Sequence, residues 1–362
     1  MRIGIDIAKA LPPRDGVGNY TYHLTKALIA LDGRHEYRLF ASSPTVSRSA
    51  VEATFENLPA TCEIAEPLTR TQDQVDLFHA PSWHYPLGHK GKVVLTCHDL
   101  TFLTHPQFHV EVNRIHCLRG TLEAVVYGAH FLCVSRHTRK QVHHHLGLPE
   151  ERTSVIDEGY DPTFRATEVQ AAAKRLRKRH GIEHPFILSV GSLEPRKNLV
   201  RLVKAYDGLD ENLRRRHDLL LVGPSGWLNA ALHEYLAERR GIGTIRLLGF
   251  VEREDQVDLY NAASVFVYPS LAEGFGLPVL EAMACGAPVA TSSTTSLPEV
   301  VGDAALTFKP EDTRAIRRAL HRILTEPRLS DDLRNRGLRR AQHFSWERAA
   351  RETVELYERI AA

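Results

Sequence analysis

No Asp-x-Asp triplet occurs in this sequence, so no obvious carboxylate pair awaits a divalent metal bound to phosphates. A G-x-S-x-G elbow is missing, which weakens a hydrolase reading. G-x-x-x-x-G-K-[ST] is missing too, which weakens a nucleoside triphosphatase reading. Apolar runs stay under ten residues, too short for a bilayer-spanning helix. The opening MRIGIDIAKALPPR has too short an apolar stretch for a signal peptide. Cysteines are few: Cys62, Cys97, Cys117, Cys133 and Cys285, none within a C-x-x-C pair. An odd number at wide spacing argues against a zinc site or a disulfide scaffold. Reduced thiols in a cytoplasmic protein are the expectation. Excess charge of one sign is also missing, since Lys+Arg is 46 and Asp+Glu is 44. That balance argues against a dedicated nucleic-acid binder.

What is present is an ordinary globular composition of 43% apolar and 25% charged residues in a chain of 362. At roughly 150 residues per domain, two domains are expected. Short apolar runs end in Gly, Ser or Pro and lead into longer amphipathic patterns, the alternation of strand–helix units with a parallel sheet. In the first half, residues 3–7, 37–40, 77–80, 93–96 and 131–134 read as strands. In the second half, residues 186–190, 219–222, 245–248, 265–268, 289–291 and 305–308 do. Residues 17–31 read as a helix with Tyr20, Leu24, Leu28 and Leu31 on one face. The break between halves is expected near residues 160–184, and the basic run 174–180 there reads as a solvated helix face, with contact to an anionic membrane as the alternative. Residues 346–360 form an amphipathic terminal helix. The run His143–His145 reads as surface, since helical metal ligands sit three or four apart.

Four stretches carry chemistry. The most informative is YPSLAEGFGLPVLE, residues 268–281, between a strand and a helix. Parallel α/β sheets bind ligands at the carboxyl ends of their strands. Gly274 and Gly276 allow close backbone approach, and amides there can donate to ligand oxygens. Pro278 suits a first helical turn, and Glu281 then stands about one turn in. Its two acceptor oxygens suit adjacent sugar hydroxyls, while a helix-dipole or surface role is the plain alternative. Residues 191–198, GSLEPRKN, follow the strand 186–190. Arg196 and Lys197 near a helix start would suit a diphosphate, although a lone R-K pair is equally at home in solvent. Residues 15–20, DGVGNY, form a glycine turn that lacks the third glycine of G-x-G-x-x-G, because Thr21 stands there. Finally, His98 and Asp99 follow the strand 93–96, where an imidazole can meet a substrate hydroxyl.

Taken in order, the glycine turn after the first strand, H-D, G-S-x-x-x-R-K-N and E-G-F-G-L-P-x-x-E closely resemble the large retaining glycosyltransferase family 4. The E-x7-E pattern of Glu273 and Glu281 is the most specific part. The opening resembles that of bacterial mannosyltransferases of surface-polysaccharide assembly. The resemblance implies a GT-B α/β fold with two Rossmann-like domains facing across a cleft. It implies an acceptor domain over residues 1–168, a donor domain over 169–345, and a terminal helix, 346–362, crossing back to the first. It further implies retaining transfer of a hexose from a nucleotide-diphosphate sugar, GDP-mannose first, to a glycan or lipid-linked glycan. No metal or other cofactor is expected, no nucleic-acid partner, and a cytoplasmic place with peripheral contact at the inner membrane face. The implied catalytic residues are His98, Arg196, Lys197 and Glu273. The implied donor-binding residues are Gly16, Gly18, Gly191, Arg196, Lys197, Gly274, Phe275, Gly276, Leu277 and Glu281. A nucleotide-sugar 2-epimerase or a UDP-sugar-dependent transferase remains an alternative, because fold does not fix function. So do a glycan phosphorylase, a silent sugar-nucleotide binder and an NAD oxidoreductase.

Overall fold

The computed structural model describes residues 1–31, 33–43, 45–65 and 75–362. The chain divides into two compact units: Met1–Gly159 with Phe344–Ala362, and Tyr160–His343. The division after Gly159 comes earlier than the boundary expected at residue 168.

The first unit holds a parallel sheet of β1 (Arg2–Asp6), β2 (Glu36–Phe40), β3 (Cys62–Ile64), β4 (Leu77–Ala80), β5 (Lys92–Cys97), β6 (His130–Cys133) and β7 (Thr153–Val155). Their order is β3-β2-β1-β4-β5-β6-β7. β1 and β4 pair in the middle, with Ile3 opposite Leu77 and Ile5 opposite His79. Strands such as β4 are buried on both faces, as expected where helices cover a parallel sheet. Helix Trp346–Ala361 belongs to this unit and packs on helix Gly16–Leu31. Trp346 meets Tyr20 edge-on at 5.7 Å, and Tyr357 bonds the buried His79 at 2.5 Å. Gly159 makes room for this helix, since a Cβ there would lie 2.3 Å from the Trp346 nitrogen.

The second unit holds β8 (Phe186–Val190), β9 (Asp218–Val222), β10 (Ile245–Gly249), β11 (Val265–Tyr268), β12 (Val289–Ser292) and β13 (Ala305–Phe308). Their order is β10-β9-β8-β11-β12-β13, a doubly wound arrangement that reverses direction between β8 and β11. The crevice beyond the carboxyl ends at such a reversal is the usual ligand site of an open α/β sheet.

The basic run forms the solvated face expected of it, with Lys174, Arg175, Arg177, Lys178 and Arg179 exposed. It lies in helix Val169–His180, which packs on helix Arg253–Ala262. Arg175 chelates Asp258 at 2.5 and 2.7 Å, and Arg179 and His180 share Asp255. The acidic partners come from about 80 residues away in the chain, where local charge counting does not reach. Among the described residues, no helix is long and apolar enough to cross a membrane.

Candidate active site

Two loops meet at the reversal point of the second sheet. One leaves β8 and carries residues 191–198; the other leaves β11 and carries residues 269–276. Because β8 and β11 pair side by side, motifs more than 70 residues apart in sequence become neighbours. Asn198 sutures the loops. Its side-chain amide donates to the carbonyls of Pro269 and Pro310 at 2.9 and 2.8 Å. The Leu271 amide donates to the Arg196 carbonyl at 2.8 Å.

Glu273 lies at the centre of this suture and is buried. Its Oε2 accepts from Arg196 Nη1 at 2.7 Å. Its Oε1 accepts from Lys197 Nζ at 2.7 Å and from Ser270 Oγ at 2.6 Å. Burial alone would push this carboxyl up; the charges of Arg196 and Lys197 overcome it and hold the group at about 2. Arg196 also donates through Nε and Nη2 to Glu194 at 3.1 and 2.8 Å. Lys197 Nζ donates to Tyr268 Oη at 2.6 Å. Burial first, then the neighbouring guanidinium, lower the Lys197 ammonium from its ordinary value, opposed by Glu273 and Glu194. Two cations therefore face two carboxylates in a site sheltered from water. Pairing and hydrogen bonding make such burial tolerable. Two of the three ammonium protons of Lys197 are used by Tyr268 and Glu273, and an ammonium has three to give.

Gly191 and Gly276 earn their places by backbone conformation. Their φ angles of 148° and 120° lie where side chains are strained. A Cβ on Gly276 would also sit 2.6 Å from Leu297. Ser296 holds the turn by donating to the carbonyls of Glu273 and Phe275 at 3.0 and 2.8 Å. Gly276 precedes helix Leu277–Ala284, with Pro278 in its first turn. Glu281 stands on this helix as expected, and it accepts from Tyr260 Oη at 3.0 Å. The structure thus gathers Gly191, Arg196, Lys197, Glu273, Gly274, Phe275 and Gly276 into one pair of loops, with Leu277 opening the next helix and Glu281 a turn further on.

His98, Gly16 and Gly18 belong to the first unit. The glycines differ from the expected turn: both lie inside helix Gly16–Leu31, because Asp15 caps it by accepting from the Gly18 amide at 2.8 Å. Gly18 is there for space, since a Cβ would lie 2.5 Å from the Lys9 carbonyl. His98 is buried and T-stacked on Tyr20 at 4.8 Å. Its Nε2 lies 2.8 Å from the Pro81 carbonyl, and its Nδ1 lies 3.6 Å from Glu158 Oε1. Burial opposes the charged ring, but Glu158, the Pro81 carbonyl and Asp99 hold it above the ordinary imidazole value. Both ring nitrogens thus face protein acceptors, so this imidazole serves first to fix the loop after β4. His143 donates locally, through Nδ1 to the Leu148 carbonyl at 2.6 Å.

Motif reading missed Glu194, Tyr268, Ser270, Ser296 and Tyr260. Glu194 lies inside GSLEPRKN and Tyr268 and Ser270 open the E-G-F-G stretch, so their positions were in view. Their roles depend on which strands pair. Nothing local marks Tyr260 or Ser296.

Comparison with known proteins identifies the family and the fold. Residues 173–340 match the family described as glycosyl transferases group 1, and residues 14–164 match glycosyltransferase family 4. The chain is 31% identical to the O-antigen chain mannosyltransferase B of Escherichia coli, over 95% of this chain and 96% of that one. Among solved structures, an Anabaena HepE complex with UDP-glucose superposes with a TM-score of 0.78 at 16% identity, covering 99% of each chain. A sucrose-phosphate synthase from Thermosynechococcus elongatus gives 0.74 at 22%, again over 99% of each. These likenesses place the fold in the GT-B class, with two Rossmann-like α/β units. The chain is a glycosyltransferase and belongs to glycosyltransferase family 4.

Proposed function

We propose that this enzyme transfers mannose from GDP-mannose, with retention and without an essential metal, to a glycan or lipid-linked glycan acceptor. The observation that carries the reading is the buried Glu194–Arg196–Lys197–Glu273 cluster at the carboxyl ends of β8 and β11. Breaking a sugar–phosphate bond develops negative charge on the leaving diphosphate. Preorganised cations in a water-poor site stabilise such charge at little reorganisation cost. Arg196 and Lys197 take that role, and the third ammonium proton of Lys197 is directed to a phosphate oxygen. Glu273 keeps both cations charged and in place, and with the amides of Gly274, Phe275 and Gly276 it orients the donor sugar. Glu281 accepts from the ribose hydroxyls, with Tyr260 fixing its carboxylate. Gly191 lets the loop after β8 approach the nucleotide. The leaving phosphate itself helps deprotonate the acceptor hydroxyl, so no enzymatic nucleophile is assigned.

The mannosyl choice follows the Escherichia coli relative, which carries that activity in its name. A UDP-sugar donor is the second reading, since the HepE structure holds UDP-glucose. A lipid-linked acceptor is favoured by an exposed apolar row, Val112, Ile115, Leu122 and Val126, on helix Glu111–Val126. That row suits peripheral contact with the inner face of a membrane from a cytoplasmic position.

The test is a donor panel of GDP-mannose, UDP-glucose, UDP-N-acetylglucosamine, ADP-glucose and NAD, read by diphosphate release with and without EDTA. Release of GDP from GDP-mannose, undiminished by EDTA, is the expected result. Release from a UDP-sugar alone selects the second donor. Interconversion of a sugar nucleotide without release selects an epimerase and rejects the proposal.

A further inference from the structure

The first sheet also reverses direction, between β1 and β4. A cavity of about 460 Å³ opens at the carboxyl ends of these strands, within the roughly 300–1,000 Å³ range of ligand pockets. Asp6 ends β1 and lines it; Trp83 and Tyr85, in the loop after β4, line it from the other side. Asp6 is buried, and its Oδ1 accepts from the amides of Ala8 and Ser42 at 3.0 and 3.1 Å. Its Oδ2, although buried, has no hydrogen-bond partner among the described residues. The same holds for the indole Nε1 of Trp83. Leaving a buried polar atom unpaired costs about 1–3 kcal/mol, and native proteins rarely accept this without a reason. Here an orphan acceptor and an orphan donor belong to side chains that line one cavity.

We propose that this cavity binds one neutral hexopyranose residue of the acceptor, held by Asp6 and Trp83. The proposal rests on the transferase reading above and supplies the acceptor subsite that it lacks. Sugar hydroxyls both donate and accept, so they can satisfy a carboxylate oxygen and an indole N–H in one cavity. Aromatic walls with a few placed polar groups suit the mixed surface of a pyranose ring. An anionic sugar is disfavoured. The lining guanidinium, Arg119, is spent on Glu123 at 2.8 Å. The lining imidazole of His116 is kept below its ordinary value by burial and by neighbouring positive groups. A phosphate or uronate would therefore meet the Asp6 carboxylate with little compensation.

The pocket wall packs against His98. Trp83 packs on His98 at 5.7 Å and on Phe102 at 6.3 Å. Tyr85 stacks on Tyr127 at 5.4 Å. Gly120 allows helix Glu111–Val126 to approach this loop, because a Cβ there would fall 1.6 Å from the Trp83 carbonyl. The imidazole that holds the Pro81 carbonyl thus also backs the indole.

The test uses the full chain, with methyl α-D-mannopyranoside and glucuronic acid as probes in NMR titrations. Wild type is compared with Asp6→Asn, which turns the orphan acceptor into a donor, and with Trp83→Phe, which removes only the indole and its N–H. Trp83→Phe keeps the test decisive where Asp6→Asn fails to fold. Mannoside affinity should fall at least tenfold in each folded variant. Glucuronic acid should bind wild type at least tenfold more weakly than the mannoside. Acceptor-free GDP release from GDP-mannose by the wild-type chain is followed alongside as the readout of the parent reading. Unchanged mannoside affinity in a folded variant, with GDP release by wild type observed, overturns the pocket and leaves the transferase reading standing. Equal binding of glucuronic acid overturns the neutral-sugar assignment. Absence of diphosphate release from every sugar nucleotide overturns the parent reading and the acceptor role with it.

Discussion

Replacing Lys197 with alanine removes a single ammonium from the centre of the buried cluster. Glu273 loses its 2.7 Å partner on Oε1 but keeps Ser270 there and Arg196 on Oε2. Tyr268 loses the donor at 2.6 Å on its hydroxyl. Breaking a buried pair outright costs about 3–5 kcal/mol. The retained guanidinium covers part of that, so a stability loss of about 3 kcal/mol, the lower end of this range, is expected. The catalytic effect is separate. Loss of one preorganised contact to developing charge costs about 2.7–4 kcal/mol, or roughly 10²–10³ in kcat. Urea denaturation gives the first quantity. Diphosphate release at saturating donor gives the second, at a temperature where the variant is folded. A folded Lys197→Ala enzyme with kcat within threefold of wild type refutes the charge-stabilising role. A stability loss without that kcat loss would leave Lys197 a purely structural cation.

Three further outcomes follow from the geometry. Glu281→Ala should weaken nucleotide binding by about 1.5–3 kcal/mol, the range for hydrogen bonds to a charged group, and calorimetry with GDP would contradict the ribose role by showing unchanged affinity. Gly276→Ala should lower stability by about 1–3 kcal/mol, the cost of a strained backbone, since φ is 120° and Leu297 stands in the way of a methyl group; an unaltered melting curve would contradict this. His79 is buried between Tyr357 and Thr96, and burial first, then the His98 charge, lower it to about 3. Between that value and the ordinary imidazole value of about 6.5, the unfolded chain binds the extra proton. Stability should therefore fall as pH drops through this window, by up to about 1.4 kcal/mol per pH unit from this group. His79→Gln should flatten that slope, and identical slopes in the two proteins would remove His79 as its source.

Much of the fold is legible in the residues because its strands are buried. β8 and β11 are mostly apolar runs, interrupted only by Ser189 and closed by Gly191 and Pro269, and both sit where expected. β3 and β7 escaped notice because each has three residues and lies at a sheet edge. Too few side chains are committed there to write a pattern. The motif glycines and charges were also legible, yet their partners were not. Lys197 and Glu273 are joined by the β8–β11 pairing, which no local periodicity encodes. Residues 174–180 are solvated as their charge suggests, but their partners Asp255 and Asp258 lie across a helix pair that local charge counting does not reach. Asp6 shows the limit most clearly. In sequence it is one acid in RIGID, and only the folded sheet gives it an unpaired oxygen beside a cavity.

The account turns on the second unit's paired loops being the donor site. Calorimetric titration of GDP-mannose into wild type, Lys197→Ala and Glu281→Ala addresses that claim most directly. One site per chain is predicted for wild type, with affinity at least tenfold weaker in Glu281→Ala. Equal affinity in all three proteins, or binding of NAD in place of any sugar nucleotide, would contradict it.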